Sequence, residues 1–324
     1  MNLKFKKPSQ ETRIAISNAY KYYENKDYIK EAEGKIRSKT NHKYVKLVNS
    51  GKSAILMCLN SINSPILIPD QGGWHGFRQI AEFLNKEIIE FKTYKGLINI
   101  EYLSSVIENL NENNYPKGTL LITSFAGYTA EQPVKEIYKF ADENNLLLVE
   151  DASGGILDNK KNLGNGKHSD IILCSTGTPK IINLGYGGFI STNNHEIFEE
   201  SKLLLKTLSL NNQIAKGLIN EIDNGKKYFK IATRSCRYIK KNLENVIHED
   251  KRGINVIIST DEPKKLAIIL KGKFNINGSF ITKCPNYNRI KEKAVAIEIK
   301  NLSLQCLNKE NLDQIIETVL NHYR

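Results

Sequence analysis

Short apolar runs alternate with amphipathic helical stretches from about residue 45 onward, and this alternation predicts most of the elements of the chain. "YVKLVNS" reads as a strand running into a turn, and "GKSAILMCLNSI" as the helix that follows. "SPILIPD" is a strand, "GFRQIAEFLN" a helix and "KEIIEFKT" a strand; "NIEYLSSVIENL", "GTLLITSF", "PVKEIYKFADEN" and "NLLLVEDAS" continue as helix, strand, helix and strand. Two more strands, "DIILCST" and "GGFISTN", end the series. Repeated βα units of this kind build a largely parallel sheet covered by helices. A polar helical segment precedes them. After about residue 196 the pattern changes: a mostly helical stretch runs to about Asn245, then "INVIIST" and "AVAIEIK" alternate with helical "EPKKLAIIL" and "NKENLDQIIETVLNHY". The expected division is an N-terminal segment and large domain over 1–200 and a smaller α+β domain over 201–324.

Composition changes this picture little. The 324 residues are 40% hydrophobic and 25% charged, ordinary for a soluble globular protein. No window approaches the roughly 18 consecutive apolar residues of a membrane span. "MNLKFKKPSQETR" has positive charge but no apolar stretch after it, so it does not read as a signal peptide, and a cytoplasmic protein is expected. The five cysteines, Cys58, Cys174, Cys236, Cys284 and Cys306, are scattered without a C-x-x-C pair. Neither a disulfide framework nor a thiolate metal site is expected. The net charge of +12 is suited to nucleic acid or a phosphorylated substrate. Yet the basic residues are spread along helical segments, as on a solvated surface, so nucleic acid is not the expected partner.

One motif misleads. "NSGKSA" after a strand, with "LLLVEDAS" later, looks like the phosphate loop of an NTPase, which requires G-x-x-x-x-G-K-[ST]. The position where the first glycine should stand is Lys46, and the short link cannot encircle a diphosphate. The turn still opens a helix at Ser50, Gly51, Lys52 and Ser53, and a helix N-terminus offers unpaired N–H groups and the positive end of its dipole to an anion. An ordinary N-cap serine is the plainer reading of Ser50, and Gly51 would let a phosphate approach the backbone.

Lys180 poses a sharper question. It follows Pro179 after an apolar run, precedes Gly185, Gly187 and Gly188, and has no other charge between Asp170 and His195 to pair with it. In chain order the sequence offers a phosphate-suited turn, the single tryptophan Trp74 after the second strand, Asp151 at the carboxyl end of an apolar strand, and Lys180 after the next. Pyridoxal phosphate uses all four: a Schiff-base lysine, an aspartate that keeps the ring nitrogen protonated, an aromatic on the ring face and an anion site. A lysine without a counter-ion suits an amine that must be neutral and nucleophilic.

These residues resemble the DegT/StrS-like family of fold-type I aminotransferases over about residues 10–200, and again at "LSLQCLNKENLDQIIETVL". The family's S-G-T-A-A turn is matched by Ser50-Gly51-Lys52-Ser53-Ala54, its N-I-D-P-E by Asn99-Ile100-Glu101, and its apolar-E-D-A by Val149-Glu150-Asp151-Ala152. Its S-F-x-x-x-K followed by G-x-G-G is matched by Ser175, Lys180 and Gly185, Gly187, Gly188. The resemblance implies a mostly parallel seven-stranded sheet with a smaller α+β C-terminal domain, and a homodimer that shares its active sites. It implies Lys180 as Schiff-base lysine, Asp151 on the pyridine nitrogen, Ser175, Gly51 and Lys52 around the phosphate, and Trp74, one position late, as the stacking ring.

Three departures stand out. Gly154 occupies the place of the glutamine that bonds the cofactor's phenolic oxygen, leaving Ser153 as the nearest hydroxyl. Lys52 replaces a small hydroxyl residue and adds a cation beside the phosphate. The family's G-x-N-x-R segment is replaced by "KTLSLNNQIAKG", where Asn211 or Asn212 is left to serve. The expected activity is amino transfer from a donor, glutamate, to a keto acceptor of the nucleotide-linked sugar type, with Lys180 as proton shuttle. The alternatives are other chemistry on the same cofactor (a lyase, a cysteine-handling enzyme with Cys284 or Cys306 as nucleophile, an enzyme acting on aminoacylated RNA) or a protein that keeps only the fold.

Overall fold

The computed structural model describes residues 3–22, 25–112, 118–274 and 276–323. Two polar helices, α1 (Gln10–Tyr22) and α2 (Tyr28–Thr40), lead into β1 (Tyr44–Val48) and α3 (Gly51–Asn60). The alternation continues through β2 (Ile66–Pro69), α4 (Gly76–Phe83), β3 (Ile88–Phe91), α5 (Ile100–Glu112) and β4 (Thr119–Thr123). A small hairpin, β5 (Phe125–Ala126) and β6 (Ala130–Glu131), interrupts it before α6 (Val134–Glu143), β7 (Leu147–Asp151), β8 (Ile171–Ser175) and β9 (Gly188–Thr192). Short helices α7 (Glu196–Glu200) and α8 (Lys202–Thr207) precede the 30-residue α9 (Asn212–Lys241). The C-terminal part is β10 (Val256–Ser259), α10 (Pro263–Phe274), β11 (Ile281–Lys283), β12 (Ala294–Ile297) and α11 (Lys309–Leu320).

Seven strands form the main sheet in the order β1-β9-β8-β7-β4-β2-β3. The pairs β2–β3, β2–β4, β4–β7 and β7–β8 are parallel, while β9 is antiparallel to both β8 and β1. Strands such as "ILIP" and "TLLIT" are buried at every position, because helices cover both faces of the sheet. The carboxyl ends of adjacent parallel strands β7 and β8 therefore open side by side, the usual place for a ligand in such sheets. The small sheet β10-β12-β11 is antiparallel.

α9 packs on α1 and α2 at one end and on β10 and α11 at the other, tying the two sheets together. The N-terminal strap does the same from the opposite side of the sequence. The Lys6 amide donates to the Asn301 carbonyl at 2.7 Å, and the Ser303 amide to Lys4 at 2.8 Å. Within the described residues no helix is long and apolar enough to cross a membrane.

Candidate active site

Ser50 caps α3: its Oγ accepts from the Ser53 amide at 3.1 Å, and the Ser53 hydroxyl donates onward to Asn49 at 2.5 Å. The plainer N-cap reading of Ser50 therefore holds. Capping takes the Ser53 amide and leaves those of Gly51 and Lys52 at the helix mouth, where α-helical amides have no partner in their own helix. Gly51 is required by its neighbour across the cleft, because a Cβ there would lie 2.5 Å from the Ser175 Cβ. That contact brings the start of α3 against the end of β8. The lysine at 52 is exposed and lines the same cavity.

The alternation of β7 sends neighbouring carboxylates to opposite sides. Glu150 is buried in the protein and accepts from Ser124 Oγ at 2.5 Å, Ser169 Oγ at 2.7 Å and the Gly164 amide at 3.0 Å; burial pushes its pKa up against those hydrogen bonds. Asp151 faces the cavity. Its Oδ1 accepts from both the amide and the hydroxyl of Ser153, at 3.0 and 2.5 Å. The Ser153 hydroxyl in turn accepts from the Ser175 amide at 2.8 Å. Ser153 thus fixes the carboxylate between β7 and β8.

Lys180 lies on the loop between β8 and β9, and its Nζ donates to the Tyr128 hydroxyl at 3.1 Å. Burial works to lower the ammonium, but the Tyr128 phenol and the Asp151 carboxylate outweigh it, and its pKa lies above the ordinary lysine value. This corrects the expectation of an amine without a counter-ion: the partners come from other elements, and the free amine is held protonated. Lys6 braces the loop from behind. Its buried Nζ donates to the carbonyls of Lys180 at 2.5 Å and Ile181 at 3.2 Å, and sits 3.3 Å from the centroid of the Tyr228 ring.

Ser50, Gly51, Lys52, Trp74, Asp151, Ser153, Ser175 and Lys180 line one cavity of about 370 Å³, together with Ile55, Leu173 and Cys174. Ser53 stands just behind it as the capped residue of α3. Trp74 is half-buried, its ring edge-on to Phe77 at 5.8 Å. A larger hollow of about 680 Å³ opens beside Ser61, Tyr138 and Asn194 and contains none of these residues. The cavity's residues fit pyridoxal phosphate by donor set: helix amides and a lysine for the phosphate, apolar Ile55, Leu173 and Trp74 for the ring, a carboxylate for the ring nitrogen and an amine for the aldehyde. Asn211 and Asn212 do not line this cavity. Asn211 caps α9 and accepts from Tyr20, while Asn212 bonds Lys26 and Ile29.

Two features escape a reading of the sequence. Tyr128 and Lys6 sit in unremarkable local sequence. The triad Arg289, Glu298 and Lys300 joins distant positions: Arg289 grips Glu298 through Nε at 2.7 Å and Nη2 at 2.8 Å, and Lys300 lies 3.5 Å from the same carboxylate. Burial works against the Glu298 charge, but Arg289 and Lys300 hold its pKa down to about 2. Both side chains flank the Tyr128 ring, at 4.9 and 4.8 Å from its centroid, and burial lowers the Lys300 ammonium to about 7 against the pull of Glu298.

The fold and cavity define a fold-type I enzyme of the pyridoxal phosphate class. A crystal structure of a DegT DnrJ EryC1 StrS aminotransferase from Brucella abortus superposes with a TM-score of 0.76 at 14% identity, covering 96% of this chain and 95% of that one. A chain of the SepCysS–SepCysE N-terminal domain complex matches with a TM-score of 0.75 at 15% identity, over 100% and 94% of the two chains. NtdA from Bacillus subtilis, with bound cofactor PMP, matches at 0.69 and 17% identity, over 95% and 83%. No curated protein matches the chain in sequence. The model of the DegT/DnrJ/EryC1/StrS aminotransferase family matches residues 7–228, and that of the MJ1341 family C-terminal domain matches residues 226–320. The chain belongs to the DegT/DnrJ/EryC1/StrS aminotransferase family, and its cofactor is pyridoxal phosphate.

Proposed function

We propose that the protein is an aminotransferase that draws its amino group from glutamate and passes it to a keto acceptor of the nucleotide-linked sugar class. The observation that carries this reading is the meeting of Lys180 and Asp151 in one cavity with the open amides of α3. When bound, pyridoxal phosphate supplies an aldehyde that bonds an amine and a ring that accepts an electron pair from the substrate's α-carbon. Gly51, Lys52 and Ser175 bind the phosphate, and Trp74 covers the ring. Asp151, oriented by Ser153, keeps a proton at the ring nitrogen. Lys180 would hold the cofactor's aldehyde, and its Nζ, when free, would move a proton at the substrate's α-carbon.

A cysteine-handling enzyme is less well supported. Its nucleophile must be an accessible thiolate, whereas all five cysteines are buried. Burial pushes the Cys174 thiol well up, and Cys284 to about 11. The proposal includes a cytoplasmic homodimer. Phe83 and Leu203 are 75% and 77% exposed, and large apolar side chains left in solvent suit a subunit contact; sedimentation of the purified protein as a monomer at micromolar concentration would count against it.

The test is a half-reaction. Cofactor-loaded protein mixed with glutamate and no acceptor is expected to release about one equivalent of 2-oxoglutarate per chain, and then to return the amine to an added keto-sugar nucleotide. Release of a substrate side chain or carboxyl group from some other amino acid, with no keto acid formed from glutamate, would make the protein a lyase.

A further inference from the structure

Tyr128 stands at the turn of the β5–β6 hairpin with φ of 66°, in the left-handed region that bulky residues rarely adopt. Such a conformation persists only where the surroundings enforce it, and points to a use. Here the Tyr128 carbonyl accepts from the amides of Ile254 at 2.9 Å and Asn255 at 3.0 Å. Arg289 and Lys300, balanced by Glu298, flank its ring. The phenol is thereby aimed at Lys180 Nζ, 3.1 Å away. The ring also fills the ground beside Gly154: a Cβ at that glycine would lie 3.2 Å from both Cδ1 and Cε1 of Tyr128 and 3.3 Å from Ile254 Cδ1. A Cβ at position 154 therefore requires the Tyr128 ring or Ile254 to give way by a few tenths of an ångström.

Pyridoxal phosphate carries its aldehyde and its phenolic oxygen on adjacent ring carbons. The oxygen therefore stands next to whichever nitrogen the aldehyde joins. A hydroxyl 3.1 Å from Lys180 Nζ would therefore stand on the side of the ring that carries that oxygen. We infer that Tyr128 is the positioning residue that donates to the cofactor's phenolic oxygen, and that it sets how firmly the Lys180 nitrogen keeps its proton in the loaded enzyme. The inference rests on the cofactor and on Lys180, and holds whatever the donor and acceptor are. Its sign follows from electrostatics. A donor that stabilises negative charge on the oxygen weakens the oxygen's hold on the neighbouring N–H, so the nitrogen loses its proton at lower pH. Asp151, Cys174, Arg289, Glu298 and Lys300 face the same space; burial lowers Lys300 to about 7, and because Tyr128→Phe keeps the ring beside it, the comparison of variant with wild type isolates the hydroxyl.

The test follows the visible absorption of cofactor-loaded protein against pH. Tyr128→Phe keeps the ring, its cation contacts and its packing on Gly154, and removes only the hydroxyl. The midpoint of the colour change is expected to rise by about one pH unit or more, a tenfold gain in proton affinity, with the thermal midpoint little altered. Gly154→Ala, whose methyl would press on the ring, should move the colour midpoint the same way by a smaller amount. Wild-type colour midpoints in both variants would overturn the inference, including when thermal stability falls, since that pattern marks a structural role alone. Absence of any visible band in the loaded wild-type protein would instead bring down the reading of Lys180 itself, and this inference with it.

Discussion

Replacing Lys6 by methionine tests whether the N-terminal strap braces the Lys180 loop at an electrostatic cost. Burial, with Lys300 adding to it and Glu221 opposing it, lowers the Lys6 ammonium from the ordinary lysine value to about 7. Between about pH 7 and about pH 10.4 the unfolded chain keeps a proton that the folded chain releases, so stability rises with pH through that window. At pH 7 the proton difference is about one half, and by pH 8 it is nearly one. Integrated to pH 9 at about 1.4 kcal/mol per unit, Lys6 contributes a gain of roughly 2 kcal/mol. Methionine keeps the apolar stem and removes that slope. It also strands the carbonyls of Lys180 and Ile181, each bonded by Nζ, at about 1–3 kcal/mol, which offsets the relief at neutral pH. The diagnostic is therefore the difference between pH values. With a denaturant slope of about 3 kcal/mol per molar, the urea midpoint of the wild type should gain roughly 0.7 M more than that of Lys6→Met between pH 7 and pH 9. Parallel pH dependences for the two proteins would refute the reasoning.

Lys52→Gln should weaken pyridoxal phosphate about tenfold or more, as expected for a charge-assisted bond, and leave pyridoxal, which lacks the phosphate, nearly unaffected in a fluorescence titration. Gly51→Ala must push Ser175 away from 2.5 Å, so cofactor retention on gel filtration should fall by at least tenfold while the far-ultraviolet circular dichroism stays native. Arg289→Met leaves Glu298 buried without its bidentate partner, and should cost about 3–5 kcal/mol in chemical denaturation at neutral pH. In the intact protein that partnership keeps the Glu298 pKa at about 2, below the ordinary glutamate value. Its stabilisation is thus complete above about pH 4.3 and is lost as the pH falls toward 2.

Much of this architecture is legible in the chain because parallel strands covered on both faces read as uninterrupted apolar runs. "LLLVED" announces both a strand and the carboxylate at its end, and "GGFIST" the strand after the lysine loop. What local pattern cannot carry is partnership across the fold. Lys180 reads as unpaired because Tyr128 and Asp151 reach it from elements 52 and 29 residues earlier in the chain. The strands of the hairpin that aims Tyr128 are two residues long, too short for any periodicity. Lys6 lies in a basic run that reads as solvated, yet it is buried against Tyr228. The antiparallel pairings of β9 also lie beyond the reach of alternation, because a glycine-rich link of twelve residues gives no sign of the return direction.

The central claim is that Lys180 is the residue to which pyridoxal phosphate attaches. Protein incubated with the cofactor, reduced with borohydride and digested should yield one modified peptide, carrying the added mass on Lys180. Its visible absorption before reduction should be present in the wild type, bleach with glutamate, and be absent in Lys180→Ala. Labelling of another lysine, or an unchanged band in Lys180→Ala, would contradict the account.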